Sequence, residues 1–145
     1  GLLIIAAGIF DALDGTLARI TNRATQFGAF LDSTTDRFAE GALFLATLDD
    51  VPVGCVGVRP FAPEPGCCEM KRLYVAPAAR GHGLGRRLAV QSMTAARARG
   101  YSRMRLDTLP SMQDAQTLYV TLGFRDIPPY RHSPVTGTRF LEASL

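Results

Sequence analysis

Hydrophobic and polar positions change rhythm along the chain, and the change predicts two unlike parts. Residues 1–20 are dominated by Ala, Leu and Ile and contain no Pro, which predicts a helix. Thr21-Asn22-Arg23 breaks it, and a second helix is expected from about Thr25 past Glu40. Ala42–Thr47 fits either the end of that helix or a strand. After the acidic pair Asp49-Asp50 the pattern becomes β-branched and Gly-punctuated, so Val51–Val58 is expected as a strand. Arg59–Gly66, with three prolines, is expected as a loop, and Cys67–Val75 as the next strand. Pro77-Ala78-Ala79 turns the chain into a long helix from Gly83 to Arg99, whose Leu84, Leu88, Gln91 and Ala95 recur every three or four residues; Gly100 stops it. Arg103–Thr108 alternates Met104, Leu106 and Thr108 with Arg103, Arg105 and Asp107, the signature of a strand with one polar face. Ser111 is expected to cap a helix reaching about Leu122, with Gly123 as its C-cap, and Arg139–Leu145 to close as a strand. The order is that of an α/β fold.

Charge sharpens the division. The net charge is +3, yet residues 1–50 hold three arginines against seven acids, while residues 51–145 hold twelve arginines and Lys71 against six acids. A basic second part suits an anionic ligand. A nucleic-acid surface is the rival, but no basic run or aromatic-rich RNA-binding strand supports it. Cys55, Cys67 and Cys68 show no CxxC spacing, and adjacent cysteines rarely bridge, so buried thiols in a reducing, cytoplasmic setting are expected. The apolar run GLLIIAAGIF ends at Asp11 and Asp14, short of the roughly 20 residues a spanning helix needs. No basic stretch precedes it, as a signal peptide would require. A first residue Gly1 in place of Met suits a piece of a longer chain.

The strongest chemical pattern is Leu73-Tyr74-Val75, then Arg80-Gly81-His82-Gly83-Leu84-Gly85, then the long helix. Glycines let the backbone come close to an anion, a helix N-terminus offers unpaired N–H groups, and Arg80, Arg86 and Arg87 add positive charge. The order is not the Gly-x-Gly-x-x-Gly of a dinucleotide-binding loop. With Tyr119 and Gly123-Phe124 downstream, residues 42–145 resemble the GCN5-related N-acetyltransferase (GNAT) superfamily, whose pyrophosphate loop Arg/Gln-x-x-Gly-x-Gly/Ala is matched from Arg80 to Gly85.

The resemblance implies a mixed central sheet flanked by helices. It implies that Glu69–Val75 is the family's splayed strand, that backbone groups of Leu73 and Val75 hold the pantetheine arm of coenzyme A, and that amides from Gly81 to Arg86, with Arg80, His82, Leu84 and Gly85 in the loop, hold its pyrophosphate. By the same resemblance Tyr119 protonates the departing thiolate and Glu69 is a candidate general base. Met112 stands where many members carry Asn, which removes one polar contact to the coenzyme. His82 is expected to face solvent or phosphate, and His132 lies in the 130–137 segment that borders the acceptor pocket.

A second pattern occupies the first part: Asp11, Asp14, Gly15, Ala18, Arg19, Gly28, Asp32 and Asp36. Carboxylates at helical spacings of three and four would repel one another unless hard divalent ions such as Mg²⁺ or Mn²⁺ lay between them. These eight positions resemble the signature of CDP-alcohol phosphatidyltransferases, which implies metal ligation by Asp11, Asp14, Asp32 and Asp36. The membrane helices of that family have no counterpart here. Residues 1–41 are therefore expected to be a fragment of such an enzyme, two helices joined in frame to a GNAT domain, and to lack its catalysis.

The sequence thus leads to an N-acyltransferase moving an acetyl group from acetyl-CoA to a small-molecule or protein amine, without nucleic acid or stable membrane span, with a homodimer left open. The alternatives are a coenzyme-binding module without turnover and metal-dependent phospholipid head-group transfer.

Overall fold

A computed structural model describes residues 3–9, 41–49 and 51–145. One mixed seven-stranded sheet in the order β1-β2-β3-β4-β5-β7-β6 carries the fold. Its strands are β1 (Leu3–Ile9), β2 (Ala42–Leu48), β3 (Val51–Pro60), β4 (Cys67–Val75), β5 (Arg103–Thr108), β6 (Arg125–Asp126) and β7 (Arg139–Ser144). A 3-10 turn at Pro77–Ala79 leads into helix α1 (Leu84–Ala98), and helix α2 (Gln113–Thr121) follows β5. Strands β1 to β4 run antiparallel to their neighbours, β4 and β5 are parallel, and β7 is antiparallel to β5 and β6.

The helix expected over residues 1–20 is not what the structure shows at its start. Leu3–Ile9 is a strand, paired residue for residue with Leu48–Ala42. Apolar periodicity alone does not separate a buried strand from a helix in so short a run, and an open sheet edge supplies hydrogen-bond partners along its length. The second expected helix lies outside the described residues. Ala42–Leu48 resolves as strand, and β3 runs two residues further than expected, to Pro60 at the end of its pairing with β4. Helix α2 starts after Met112 with no side-chain cap, so Ser111 is not its N-cap. The helix ends as expected, with Gly123 in the left-handed region at φ 92°.

Alternation along the strands sorts the core. Phe44, Val56, Cys68, Met70, Met104, Leu106 and Leu141 pack with Leu84, Leu88 and Ala96 of α1. Burial pushes the Cys55 and Cys68 thiols up to about 12, so both stay inert at neutral pH. Helix α1 lies so close to β3 that a Cβ at Gly54 would stand 3.0 Å from both Leu88 Cδ1 and the carbonyl oxygen of Tyr74. Gly54→Ala is expected to destabilise the fold by about 1–3 kcal/mol through this overpacking. Urea unfolding checks this, and an unchanged midpoint would show that the helix can shift freely.

Candidate active site

Strands β4 and β5 pair at only three positions, Cys67↔Arg103, Cys68↔Met104 and Glu69↔Arg105. Beyond Glu69 the two strands part, while β4 stays bonded to β3 up to Val75 and β5 to β7 up to Thr108. The parting has a local cause. Tyr74 faces Cys55 and Lys71 faces Gly57, so Arg72 and Leu73 together oppose Val56, and Arg72 adopts φ 56°. Such a bulge bends and twists its strand. The Cys55 thiol, 3.4 Å from the Arg72 carbonyl oxygen, ties the bulge to β3.

The Ala76 N–H turns toward β3 and donates to the Val53 carbonyl at 2.8 Å. Backbone groups alternate along a strand, so those of Leu73 and Val75 turn the other way, into the gap left by β5. There the Val75 carbonyl accepts from Arg80 Nε at 2.9 Å, which draws the following loop back onto the strand end. Gly81 and Gly83 take left-handed φ values of 82° and 69°, with nothing within 4 Å of where a Cβ would stand. Their requirement for glycine is therefore conformational. His82 is exposed and its Nδ1 lies 2.9 Å from the Arg80 carbonyl oxygen. The helix ladder begins with Arg87 N–H donating to Gly83 O at 3.1 Å. Among the described residues, none of the backbone N–H groups from Gly81 to Arg86 donates a hydrogen bond within the protein. No acidic residue stands in the first turn of α1, and Arg86 is held toward α2 by Thr121 Oγ1 at 3.1 Å.

These groups rim a groove of about 600 Å³ that runs from Leu73–Val75 past the glycine loop to Ser111–Ala115 and Leu118. Met112 contributes an apolar wall and is half exposed, so the polar contact missing from the sequence is missing in space as well. Tyr119 of α2 is buried against Phe124, ring centroids 5.8 Å apart. Burial, and then the charge of Asp107, pushes its hydroxyl up to about 12, so the phenol keeps its proton at neutral pH.

Glu69 lies on the sheet face opposite α1, where the gap opens. It is 2% exposed, and its Oε2 accepts from Arg59 Nε at 2.9 Å, while Oε1 lies 3.3 Å from Lys71 Nζ and 3.5 Å from Arg131 Nη1. Lys71 Nζ also reaches across the gap to Asp107 Oδ1 at 2.8 Å, and Arg131 pairs with the same carboxylate. Burial alone would raise the pKa of Glu69. Lys71, Arg59 and the Tyr130 hydroxyl outweigh it, so Glu69 stays below the usual carboxylate value. Asp107 is likewise lowered against its burial, by Lys71 and Arg131. Glu69 Oε1 and the Tyr130 hydroxyl are both buried and lack a hydrogen bond of normal geometry.

The structure thus brings Leu73, Val75, Arg80, Gly81 and Gly83–Arg86 onto one groove, while His82 lines a neighbouring pocket with Leu48, Val53, Ala78, Ala79 and Leu84. Tyr119 lies in the core beside Phe124 and does not line that groove, while Glu69 sits in the ionic cluster with Asp107, whose charge also acts on Tyr119. The sequence offered Lys71 or Arg72 as an ion-pair partner of Glu69 and placed Tyr130 and Arg131 only within the 130–137 segment that borders the acceptor pocket; it singled out neither Arg59 nor Asp107. The alternation of β5 had marked Asp107 as polar-facing, but the partners come from β3, β4 and a distant loop, which no local spacing reveals. Asp11, Asp14, Asp32 and Asp36 lie outside the described residues. Among the described ones, no three His, Cys, Asp or Glu side chains are placed to hold a metal, and no helix is long and apolar enough to cross a membrane.

Comparison with known proteins agrees with this geometry. The model of the "Acetyltransferase (GNAT) family" matches residues 16–124, beginning inside the segment that the sequence set apart as 1–41. An uncharacterised N-acetyltransferase of Schizosaccharomyces pombe is 43% identical over 93 residues, covering 64% of this chain and 56% of that protein. The chain spans about half the length of the first curated relatives it matches. A GNAT acetyltransferase of Elizabethkingia anophelis, solved with acetyl-CoA bound, superposes with a TM-score of 0.70 at 19% identity, over 99% of this chain and 98% of that one. A shorter similarity is of another kind: archaetidylinositol phosphate synthase of Pyrococcus horikoshii is 52% identical over 42 residues, which is 28% of this chain and 22% of that enzyme.

The depressed carboxylates predict acid sensitivity. A group whose folded pKa lies below its unfolded value stabilises the fold above the unfolded value and loses that contribution as pH falls through the folded one. With unfolded values near about 4, the melting temperature is expected to hold from pH 7 to about 5 and then fall. Glu69→Gln with Asp107→Asn should flatten that fall. An acid slope equal to wild type in the double variant would show that these two groups do not supply it.

Proposed function

Because the chain belongs to the GNAT acetyltransferase family, we propose that it binds acetyl-CoA along the β4–α1 groove and passes the acetyl group directly to an amine. The observation that carries this reading is the row of six unpaired backbone N–H groups from Gly81 to Arg86 at the end of the parted strand. A pyrophosphate is the ligand that such a row, a helix N-terminus and three nearby arginines suit. The inward-turned backbone of Leu73 and Val75 lies where an amide-bearing arm leading from that pyrophosphate toward the gap would run. The acetyl-CoA of the Elizabethkingia anophelis protein supports the same assignment by fold alone.

In the reaction the amine nitrogen attacks the thioester carbonyl, a C–N bond forms, the C–S bond breaks, and sulfur leaves as a thiolate. Tyr119 is the group we assign to that sulfur. Its raised pKa keeps the O–H donor present throughout the physiological range, where it stabilises the developing thiolate and hands it a proton. The amine must lose a proton as well. Glu69 is the candidate acceptor, but ion pairs hold it charged and weakly basic, which favours a part in orienting the incoming ammonium and passing its proton on to water. The four aspartates of the first part take no step in this scheme.

Two measurements test the reading. Calorimetric titration with acetyl-CoA is expected to show binding that Gly83→Glu abolishes, because a carboxylate there repels the phosphates and forces the left-handed turn onto a side chain. Binding unaffected by that change would remove the loop from the site. Tyr119→Phe is expected to lower kcat by about 10²–10⁴-fold with little change in coenzyme affinity. Equal turnover would leave Tyr119 as packing against Phe124. Acetyl-CoA binding without turnover on any amine would favour the inactive coenzyme-binding alternative.

A further inference from the structure

The ionic cluster at the mouth of the gap is not balanced. Among the described residues, Arg59, Lys71 and Arg131 bring three positive charges to the two carboxylates Glu69 and Asp107. The neighbouring set does balance, with Arg103 and Arg105 against Glu64 and Glu142. Both carboxylates of the unbalanced set are held ionised, so the count stands at three cations against two anions. Among the described groups, one cation is left without an anion of its own, close to where acyl transfer would occur.

Arg131 is the member best placed to meet a ligand. Its side chain is 34% exposed and meets both Asp107 and Glu69, whereas Arg59, 40% exposed, pairs with Glu69 alone and Lys71, which spans the gap, is 16% exposed. It sits in the irregular segment between β6 and β7, and its guanidinium stands over the Tyr130 ring at 5.6 Å. Stacking on a ring fixes the plane of a guanidinium and leaves its in-plane N–H fork for oxygen acceptors. Asp107, which pairs with Arg131, is also the charge felt by Tyr119, and it stands near the end of the strand that borders the gap. Beside Arg131, Glu69 Oε1 is a buried acceptor whose contacts with Lys71 Nζ at 3.3 Å and Arg131 Nη1 at 3.5 Å fall short of hydrogen-bond geometry. A cluster with one positive charge in excess, beside a carboxylate oxygen held only by looser ion-pair contacts, suits a zwitterion.

Resting on the acetyl-transfer reading above, we propose that the acceptor carries a carboxylate close to its amine, as a free amino acid does, and that Arg131 reads that carboxylate. The ammonium end lies toward Glu69 and Asp107, and the carboxylate accepts from the guanidinium N–H groups of Arg131 that those two residues leave free.

The test uses acceptor pairs that differ only in that group: free amino acids and their carboxamides, assayed with acetyl-CoA by release of free coenzyme thiol. The acid of a pair is expected to have a kcat/KM about 10- to 100-fold above that of its amide, the range of a lost hydrogen bond to a charged group. In Arg131→Gln the acid-to-amide ratio should fall to near one, chiefly through KM for the acid. Arg131→Lys, which keeps the charge but not the fork, should restore only part of it. Arg97→Gln, on the exposed outer end of α1, should keep the ratio of wild type. Equal rates for acids and amides in the wild type, or a ratio that survives Arg131→Gln, would overturn the proposal. If no amine turns over, the same pairs titrated against the acetyl-CoA complex decide it, and equal affinity of acid and amide overturns it. Titration of acetyl-CoA alone keeps the two readings apart. Binding of the coenzyme without preference for acids sinks this inference only, while failure to bind the coenzyme sinks the function on which it rests.

Discussion

Everything functional in this molecule depends on two neighbouring strands ceasing to pair. A parallel ladder between β4 and β5 that ran on past Glu69 would fill the gap with hydrogen bonds and leave no backbone group for a ligand. The bulge at Arg72-Leu73 prevents this by bending β4 while it stays bonded to β3. The unpaired groups that result would be costly if buried dry. Opening them onto a groove removes that cost, and the same groove then has a row of donors along one wall. A single irregularity in register thus links the local conformation of one arginine to the presence of a binding surface.

The gap also needs something to hold it at a fixed width, and the Lys71–Asp107 pair is the described contact that crosses it. A pair of this kind is a poor source of net stability, because taking two charges from water costs about as much as their attraction returns. Its value is positional. Removing one partner would leave the other to pair with Glu69 or Arg131 alone, so the pair sets a definite distance between the strands. Glu69 extends the network to β3 through Arg59 and to the loop after β6 through Arg131. The cluster therefore ties together four separate parts of the chain around the place where substrates would meet.

What the sequence revealed follows from how local each signal is. The glycine loop was legible because its requirements are met within six residues: two left-handed positions and a helix start. Strand β5 was legible because its alternation is strict, a clean succession of buried and half-buried positions. Tyr119 could be placed through its spacing from Gly123-Phe124, though its protonation depends on burial and on Asp107, which spacing does not report. The start of α2 was misjudged because Ser111 is only one of several residues that could precede the helix, and here a 3.0 Å bond from Met112 N–H to Leu109 O makes a turn before the helix begins. The ionic cluster was invisible for a physical reason. Its members are charged residues that would read as solvated surface, and only the folding of β3, β4, β5 and a loop onto one another makes them neighbours.

Leu3–Ile9 carries the argument about the two parts of the chain furthest. A β edge recognises an incoming segment through main-chain hydrogen bonds, which every residue except Pro can supply, so its sequence demands are weak. An apolar run without Pro meets them, even one whose composition also suits a helix. The run therefore adds a strand next to β2 without having to contribute to β3, β4, β5 or α1, where the coenzyme groove lies. A resemblance to a phosphatidyltransferase in the first forty residues and a place in the acetyltransferase sheet are thus compatible in one chain. The first rests on the spacing of four aspartates. The second asks only for a short stretch of extended backbone, which that spacing leaves free. The groove that would bind the coenzyme is built from later elements whose register with one another is set by their own bulges and turns, so the groove and the first strand are specified independently.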